Sequence, residues 1–212
     1  RHGVRQFRLS DDNLTTDRHR VEVLCEYLSR RDIAWRASIR VWPNDPRIFA
    51  ALKRGGCAEV SFGVESGDQD VLTALRKKTT VQMNKDAIRN AKAEGLAVRV
   101  LFMIGTPGET PDTVDRNIEF FEDVKDDCDA IAVTNFVPLP GCEVARAPEK
   151  CGVELLPDSD DVNNYNLCLH GPDGRNRWLN LVRPVGLTID QLTENKRRMV
   201  EYIISTGKSN MG

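Results

Sequence analysis

The segment 98–110, with the sequence VRVLFMIGTPGET, constrains the fold more than any other part of the chain. Its first half is an apolar run that only Arg99 interrupts. Such a run, followed by a turn signal, is typical of a strand buried on both faces of a parallel sheet. A glycine and proline loop comes next, and Thr110 and Pro111 have the residue types of a helix N-cap and of the first helical position. The segment therefore predicts a strand, a loop and a helix in succession.

Four further apolar runs alternate with helical patterns along the chain. The five predicted strands lie near 4–9, 34–41, 58–64, 98–104 and 130–137. The segments between them have the size of crossover helices, so we expect one parallel sheet with its strands in sequential order, and a curved one. The expected helix starts are Asp17, Asp45 with Pro46, and two capping-box pairs, Ser66 with Gln69 and Thr188 with Gln191. The pattern indicates an α/β fold.

The alternation of strands and helices ends at Gly141. Residues 142–186 are rich in Asp, Asn, Gly and Pro, and they carry no recognisable motif. The last capping box then opens a final helix. We therefore expect two parts, a core over residues 1–141 and a C-terminal extension over 142–212 that is irregular and ends in a helix.

Composition excludes several functional classes. Hydrophobic residues make up 40% of the chain and charged residues 29%, which is ordinary for a globular protein, and the net charge is -2. That charge favours neither nucleic acid nor a membrane surface as a partner. No stretch has the length of a membrane span or the composition of a signal peptide, so we expect a cytoplasmic location. The chain opens without methionine, and we expect it to be a piece of a longer protein.

The cysteines do not form a metal-binding motif. The chain has six of them, at positions 25, 57, 128, 142, 151 and 168. None belongs to a Cys-x-x-Cys pair, and free thiols are the expected state in a cytosolic protein. We therefore predict no metal site, and the role of Cys142, Cys151 and Cys168 stays open.

Unusual residues follow each predicted strand. In chain order they are Asp11 and Asp12, Arg40, Glu65 and Ser66, the loop residues Gly105, Thr106, Gly108 and Glu109, and finally Val137 and Pro138. Because the carboxyl ends of parallel strands meet at one edge, we expect these residues to lie together. Carboxylates accept hydrogen bonds from an ammonium or from ribose hydroxyls, and arginine pairs with a carboxylate. Together they predict a site for a small zwitterion joined to a nucleoside, although each residue alone also fits a cap or a surface ion pair.

Five stretches resemble a known family. They are FRLSDDN, WRASIR, GCAEVSFGVESG, GLAVRVLFMIGTPGET and NFVPLPG, which in this order and spacing are similar to radical S-adenosylmethionine (SAM) enzymes. The resemblance covers roughly residues 3–141. It is strongest to the branch that carries a cobalamin-binding domain, which includes enzymes of the magnesium-protoporphyrin IX monomethyl ester oxidative cyclase type. It implies a partial (β/α)6 TIM-like barrel, of which this chain would supply strands two to six and lack the first.

The resemblance also implies roles for the residues at the strand ends. It places the amino group of SAM at Asp11 and Asp12, its carboxylate near Arg40, its ribose near Glu65 and Ser66, and its adenine near Gly105, Thr106, Gly108, Glu109, Val137 and Pro138. The family holds a [4Fe-4S] cluster with a Cys-x-x-x-Cys-x-x-Cys loop, and no three cysteines here have that spacing. We therefore expect that loop in an upstream segment, and we expect this chain to bind none of the cofactors fully and to be inactive alone.

By this resemblance the parent protein would be an Fe-S oxidoreductase or methyltransferase that generates a 5′-deoxyadenosyl radical, with cobalamin bound by an upstream domain. The substrate would be a small molecule, and porphyrin, lipid, peptide and phosphonate substrates all stay open. Two alternatives are a non-catalytic nucleoside-binding module of α/β barrel type and an RNA-modifying member of the superfamily, which the charge disfavours. The edge beside residues 4–9 is expected to be exposed and able to pair with a second copy.

Overall fold

The parallel sheet predicted from the sequence is confirmed. The computed structural model describes residues 3–11, 14–42, 44–157, 159–161 and 179–208. Five parallel strands lie in the order β1-β2-β3-β4-β5, and the sheet curls into a half-barrel. They are β1 (Gln6–Leu9), β2 (Ala34–Ile39), β3 (Cys57–Glu65), β4 (Ala97–Ile104) and β5 (Ala130–Asn135). All lie within a few residues of the predicted runs.

Helices connect the strands and cover one face of the sheet. They are α1 (Arg18–Ser29), α2 (Pro46–Arg54), α3 (Gln69–Ala74), α4 (Val81–Ala93), α5 (Thr113–Val124), α6 (Glu143–Arg146) and α7 (Ile189–Ser205). Two short 3-10 helices, Leu14–Thr16 and Pro148–Cys151, complete the connections. In the extension, β6 (Val153–Leu155) and β7 (Val182–Pro184) form an antiparallel pair that the sequence analysis did not predict. Three residues per strand are too few to show an alternating pattern.

One hydrophobic core fills the space between sheet and helices. Alternate residues of each strand enter it, such as Phe62 of β3 and Phe102 of β4, both almost completely buried. Each such side chain contributes roughly 1.5–3 kcal/mol to folding. Leu192 and Met199 of α7 belong to the same core, so the terminal helix packs against the barrel part. The division of the chain at residue 141 stays a prediction.

The opposite face of the sheet is concave and carries both polar and apolar side chains. The expectation that β4 is buried on both faces is wrong, because its residues alternate between buried and half-buried. Arg99, Leu101 and Met103 lie on the half-buried side, which no helix covers among the described residues. Each strand therefore directs one set of side chains into the core and the alternate set towards an open concavity.

Two predicted helix starts differ from the structure. Asp68, rather than Ser66, is the N-cap of α3 and accepts a hydrogen bond from the Asp70 N–H at 3.0 Å. The Ser66 hydroxyl is engaged elsewhere, so it does not form the expected capping box with Gln69. Helix α5 begins at Thr113, because the Thr113 hydroxyl accepts from the Thr110 N–H at 3.0 Å and residues 111–112 form a turn before the helix. The caps at Asp17, Asp45 and Thr188 are confirmed.

Candidate functional site

The carboxyl ends of β1 to β5 and the loops that follow them form one edge of the half-barrel, here called the rim. Of the residues predicted for the site, all but Asp12 lie there, and Asp12 lies outside the described residues. The structure therefore brings the predicted set to one edge. Which of these residues contact a ligand stays a prediction.

The first two positions of the rim differ in their surroundings. The Asp11 carboxylate lies 3.3 Å from Arg20 Nη2 of α1, so it has an ion-pair partner within the protein. Arg40 is exposed and lines a rim cavity of about 300 Å³, together with Trp42 and Lys78. This guanidinium is therefore accessible to an anionic group.

Glu65 has the most unusual backbone of the rim. It is the last residue of β3 and has a φ of 69°, in the left-handed region that non-glycine residues rarely adopt. Arg76 and Lys78 also have positive φ angles, and Lys77 between them places its Nζ 2.5 Å from Glu65 Oε1. Such conformations cost about 1–3 kcal/mol each and tend to cluster at functional sites. The ion pair is thus held by two strained segments.

The backbone at Gly63 explains how Glu65 is directed to this position. The pairing of β3 with β4 shifts register between Gly63 and Glu65, a bulge that re-aims the carboxylate. A Cβ at Gly63 would lie 2.6 Å from Glu65 Oε1, so a side chain there would displace the carboxylate from its present position. The local sequence FGVESG therefore encodes both the bulge and the space for the side chain.

A buried polar network lies beneath Glu65 and ties the β3–α3 loop to α5. Ser66 Oγ donates to Asn117 Oδ1 at 2.9 Å, and the Gly67 N–H donates to the same oxygen at 2.6 Å. Asp68 accepts from Thr113 Oγ1 at 2.9 Å and from Arg116 Nη1 at 2.8 Å. The sequence analysis missed this network because its partners lie about 50 residues apart.

The glycine loop after β4 is closed by its own glutamate. Thr106 donates from its N–H and from Oγ1 to Glu109 Oε1, both at 2.8 Å, and Glu109 is only 5% exposed. Burial raises the pKa of Glu109 to about 7, although the Thr106 hydrogen bonds oppose that shift. Gly108 has a φ of 87°, and a Cβ there would lie 2.9 Å from the Ala74 Cβ. The buried Glu109 carboxylate thus stabilises the conformation of this loop.

The end of β5 forms the last part of the rim. Val137 is half-buried and Pro138 is buried. The Phe136 N–H donates to the Ile104 carbonyl at 2.8 Å, which joins this segment to the end of β4. Beside it, Cys142 and Cys151 line a cavity of about 330 Å³.

The described cysteines do not form a metal site. All five are free thiols, and no group of three or more His, Cys, Asp or Glu side chains able to hold a metal occurs within the described ranges. Cys168 lies outside them. Burial raises the pKa of Cys25 to about 11 and that of Cys57 to about 12, so both stay protonated at neutral pH. The part of the chain that the structure describes therefore does not fit a [4Fe-4S] cluster.

No helix in the described part of the chain is both long enough and apolar enough to cross a membrane.

Known proteins resemble this chain in both sequence and fold. An uncharacterized methyltransferase of Pyrococcus horikoshii is 34% identical over 66% of this chain and 30% of that protein. The anaerobic magnesium-protoporphyrin IX monomethyl ester cyclase of Rubrivivax gelatinosus is 30% identical over 93% of this chain and 34% of the relative. The chain thus spans about a third of the length of these relatives.

Among solved structures, this chain resembles the radical S-adenosylmethionine methyltransferase TsrM of Kitasatospora setae, solved with cobalamin and a [4Fe-4S] cluster bound. The match covers 96% of this chain and 43% of the TsrM chain. Its TM-score is 0.65 and its sequence identity 18%, so this likeness concerns the fold. The sequence profile of the radical SAM superfamily matches residues 1–121. With five parallel strands in sequential order and more than half of its length matched, this chain belongs to the radical SAM superfamily.

Proposed function

We propose that this chain provides the SAM-binding rim of a radical SAM enzyme of the oxidoreductase or methyltransferase type. Membership of the superfamily and the methyltransferase and cyclase relatives support the class. The observation that carries the proposal is Glu65, a carboxylate held by a strained backbone at the carboxyl end of β3. Because the described residues do not fit the cluster, the role proposed for the chain is to bind and position SAM.

The proposed contacts follow from the charges at the rim. Among the described residues the Lys77 ion pair engages Oε1 of Glu65, so Oε2 is the proposed acceptor for a ribose hydroxyl. Arg40 is the proposed partner of the methionine carboxylate, since its guanidinium is exposed beside the rim cavity. The loop of Gly105 and Gly108 brings backbone groups to the adenine, while Glu109 fixes the shape of that loop.

The test is SAM binding to the protein, measured by saturation-transfer NMR, which detects weak complexes. We expect Glu65→Ala to weaken binding by roughly 1–3 kcal/mol, about 5- to 150-fold, because a charged hydrogen-bond acceptor is lost. Glu119→Ala is the matched control, because this carboxylate is exposed on α5 away from the rim. Equal affinity of the Glu65→Ala variant and the parent would refute the ribose contact.

A second experiment tests the expectation that this chain alone is catalytically silent. The protein is incubated anaerobically with iron and sulfide, reduced in the presence of SAM, and assayed for iron content and 5′-deoxyadenosine. We expect less than one four-iron cluster per chain and no product, because cysteine thiolates are the main ligands of such clusters. Stoichiometric iron with turnover would contradict this and make Cys142, Cys151 and Cys168 candidate ligands. Cobalamin belongs to the proposal only for a larger protein that contains this chain.

A further inference from the structure

The concave face of the sheet carries positive charge that its own carboxylate does not balance. Three guanidinium groups lie near its amino-terminal end, from Arg8 of β1, Arg36 of β2 and Arg99 of β4, and the neighbouring carboxylate among the described strand residues there is Glu59 of β3. Together these four side chains carry a net charge of +2. Arg36, Glu59 and Arg99 lie in the first halves of β2, β3 and β4, whereas Arg8 lies in β1, three residues before Asp11.

The strand register places two of these charges directly opposite each other. Arg8 is the cross-strand partner of Arg36, and like charges in that position are destabilising. Arg99 forms a bidentate ion pair with Glu59, with its Nε and Nη2 each 3.1 Å from a carboxylate oxygen. The packing therefore leaves an unfavourable pair of cations facing a polar concavity.

The contacts of Arg8 and Arg36 do not neutralise them. Arg36 Nη1 lies 3.9 Å from Glu59 Oε1, at the outer limit of an ion pair, and its side chain is 52% exposed. Arg8 Nη2 lies 3.4 Å from the Ser38 hydroxyl, which carries no charge. No carboxylate among the described residues is within ion-pair distance of Arg8. Both guanidinium groups thus retain donors for an external anion.

A cavity adjoins this pair of arginines. Its volume is about 460 Å³, and Gln6, Arg8, Ala34, Arg36 and Glu59 are among its lining residues. That volume is within the range of small-molecule sites, roughly 300–1,000 Å³. Arg36 lies four residues before Arg40, so the cavity is roughly 13 Å from the rim at about 3.3 Å per residue.

We propose that Arg8 and Arg36 bind an oxyanionic group of the substrate, a carboxylate or a phosphoryl group, on the concave face of the sheet. The planar guanidinium presents parallel N–H donors that match either oxyanion, and two of them side by side suit a dianionic group. The remainder of the molecule then extends along the concavity towards the rim. The identification of the ligand as a substrate rests on the proposed function. The prediction that an anion binds to Arg8 and Arg36 does not.

The test uses the protein without SAM or iron and two separate probes, methylphosphonate and succinate. Each probe is titrated while the arginine Nε–H signals are followed by NMR. We expect saturable shifts at Arg8 and Arg36, and the tighter probe identifies the chemical class. Arg8→Gln and Arg36→Gln should each weaken binding at least fivefold. Both side chains project from the open face, so the variants should fold.

Two further variants separate binding from a structural role. Arg30→Gln is the matched control, since this exposed arginine on the C-terminal side of α1 pairs with Glu26, and binding should not change. Glu59→Gln should tighten binding, because it removes the carboxylate that lies beside Arg36 and pairs with Arg99. Absence of saturable binding by both probes, or equal loss in Arg30→Gln, would overturn the proposal. A protein that binds the probe but not SAM would refute the proposed function alone.

Discussion

Glu109 shows how a single residue can occupy a predicted position and yet serve another part of the structure. The family resemblance implied a position near adenine for Glu109, which stays a prediction, and the structure shows that its carboxylate is buried and accepts two hydrogen bonds from Thr106. Burial is the main reason that its pKa is raised, to about 7 from an ordinary value of 4.5, and the nearby Asp68 adds to the shift. The loop that is proposed to contact SAM is therefore shaped by a group that titrates near neutral pH.

This pKa predicts a specific dependence of stability on pH. Between pH about 4.5 and 7 the folded protein holds a proton on Glu109 that the unfolded chain has released, so stability falls as pH rises through this window. The slope from this group is at most about 1.4 kcal/mol per pH unit. We expect Glu109→Gln, which keeps an acceptor oxygen but cannot ionise, to remove that slope. Urea unfolding at several pH values measures it, and identical slopes in parent and variant would refute the assignment.

At the scale of elements, the rim is positioned by helix α5 as much as by the strands. Asp68 caps α3 and also accepts from Thr113 and Arg116 of α5, so one carboxylate joins two helices beneath the loop that carries Glu65. Gly67 is required for the same contact, because a Cβ there would lie 2.5 Å from the Phe120 Cβ. Close packing of loop and helix thus fixes the end of β3.

Removing this junction should destabilise the protein. Asp68 is 1% exposed, and Asp68→Ala loses a cap worth about 1 kcal/mol and leaves the buried Thr113 hydroxyl without its acceptor, at about 1–3 kcal/mol. We expect a loss of about 2–4 kcal/mol in the free energy of unfolding, measured with urea. Asp70→Ala is the control, because that side chain is 84% exposed, and should change stability by no more than about 0.5 kcal/mol. Equal stability of the two variants would contradict a structural role for Asp68.

At the scale of the whole molecule, β1 is the outermost strand of the five-stranded sheet. The Ala34 N–H donates to the Arg5 carbonyl, so Arg5 and Phe7 direct their backbone groups towards β2. By alternation, the backbone groups of Gln6 and Arg8 point to the other side, where the described residues provide no further strand. We propose that this edge pairs with a second copy of the chain, as exposed edges readily do.

A proline at the outward position tests that pairing. Gln6→Pro removes an N–H that β2 does not use, so the sheet should persist while self-association is lost. Phe7→Pro, in contrast, removes a hydrogen bond to β2 and should destabilise the fold. Sedimentation velocity over a concentration series measures the association. A parent protein that stays monomeric throughout the series would rule out the edge pairing.

The sequence by itself determined the strands, most helix caps and the set of residues at the rim. These features depend on local chemistry: apolar runs form buried strands, Asp and Thr cap helices, and parallel strands end at one edge. This is why the succession of apolar runs, such as 98–104, predicted the correct strand order, and why Thr188 was correctly predicted as a helix cap.

Only the tertiary structure decided which partner each polar side chain has. Ser66 turned away from its expected cap because Asn117, distant in sequence, offers it an acceptor, and Glu109 became internal because the loop closes over it. Likewise, the opposition of Arg8 and Arg36 depends on the register of two strands separated by a helix. Hydrogen bonds, burial and register arise between distant segments, and such pairings leave no periodic signal in the sequence.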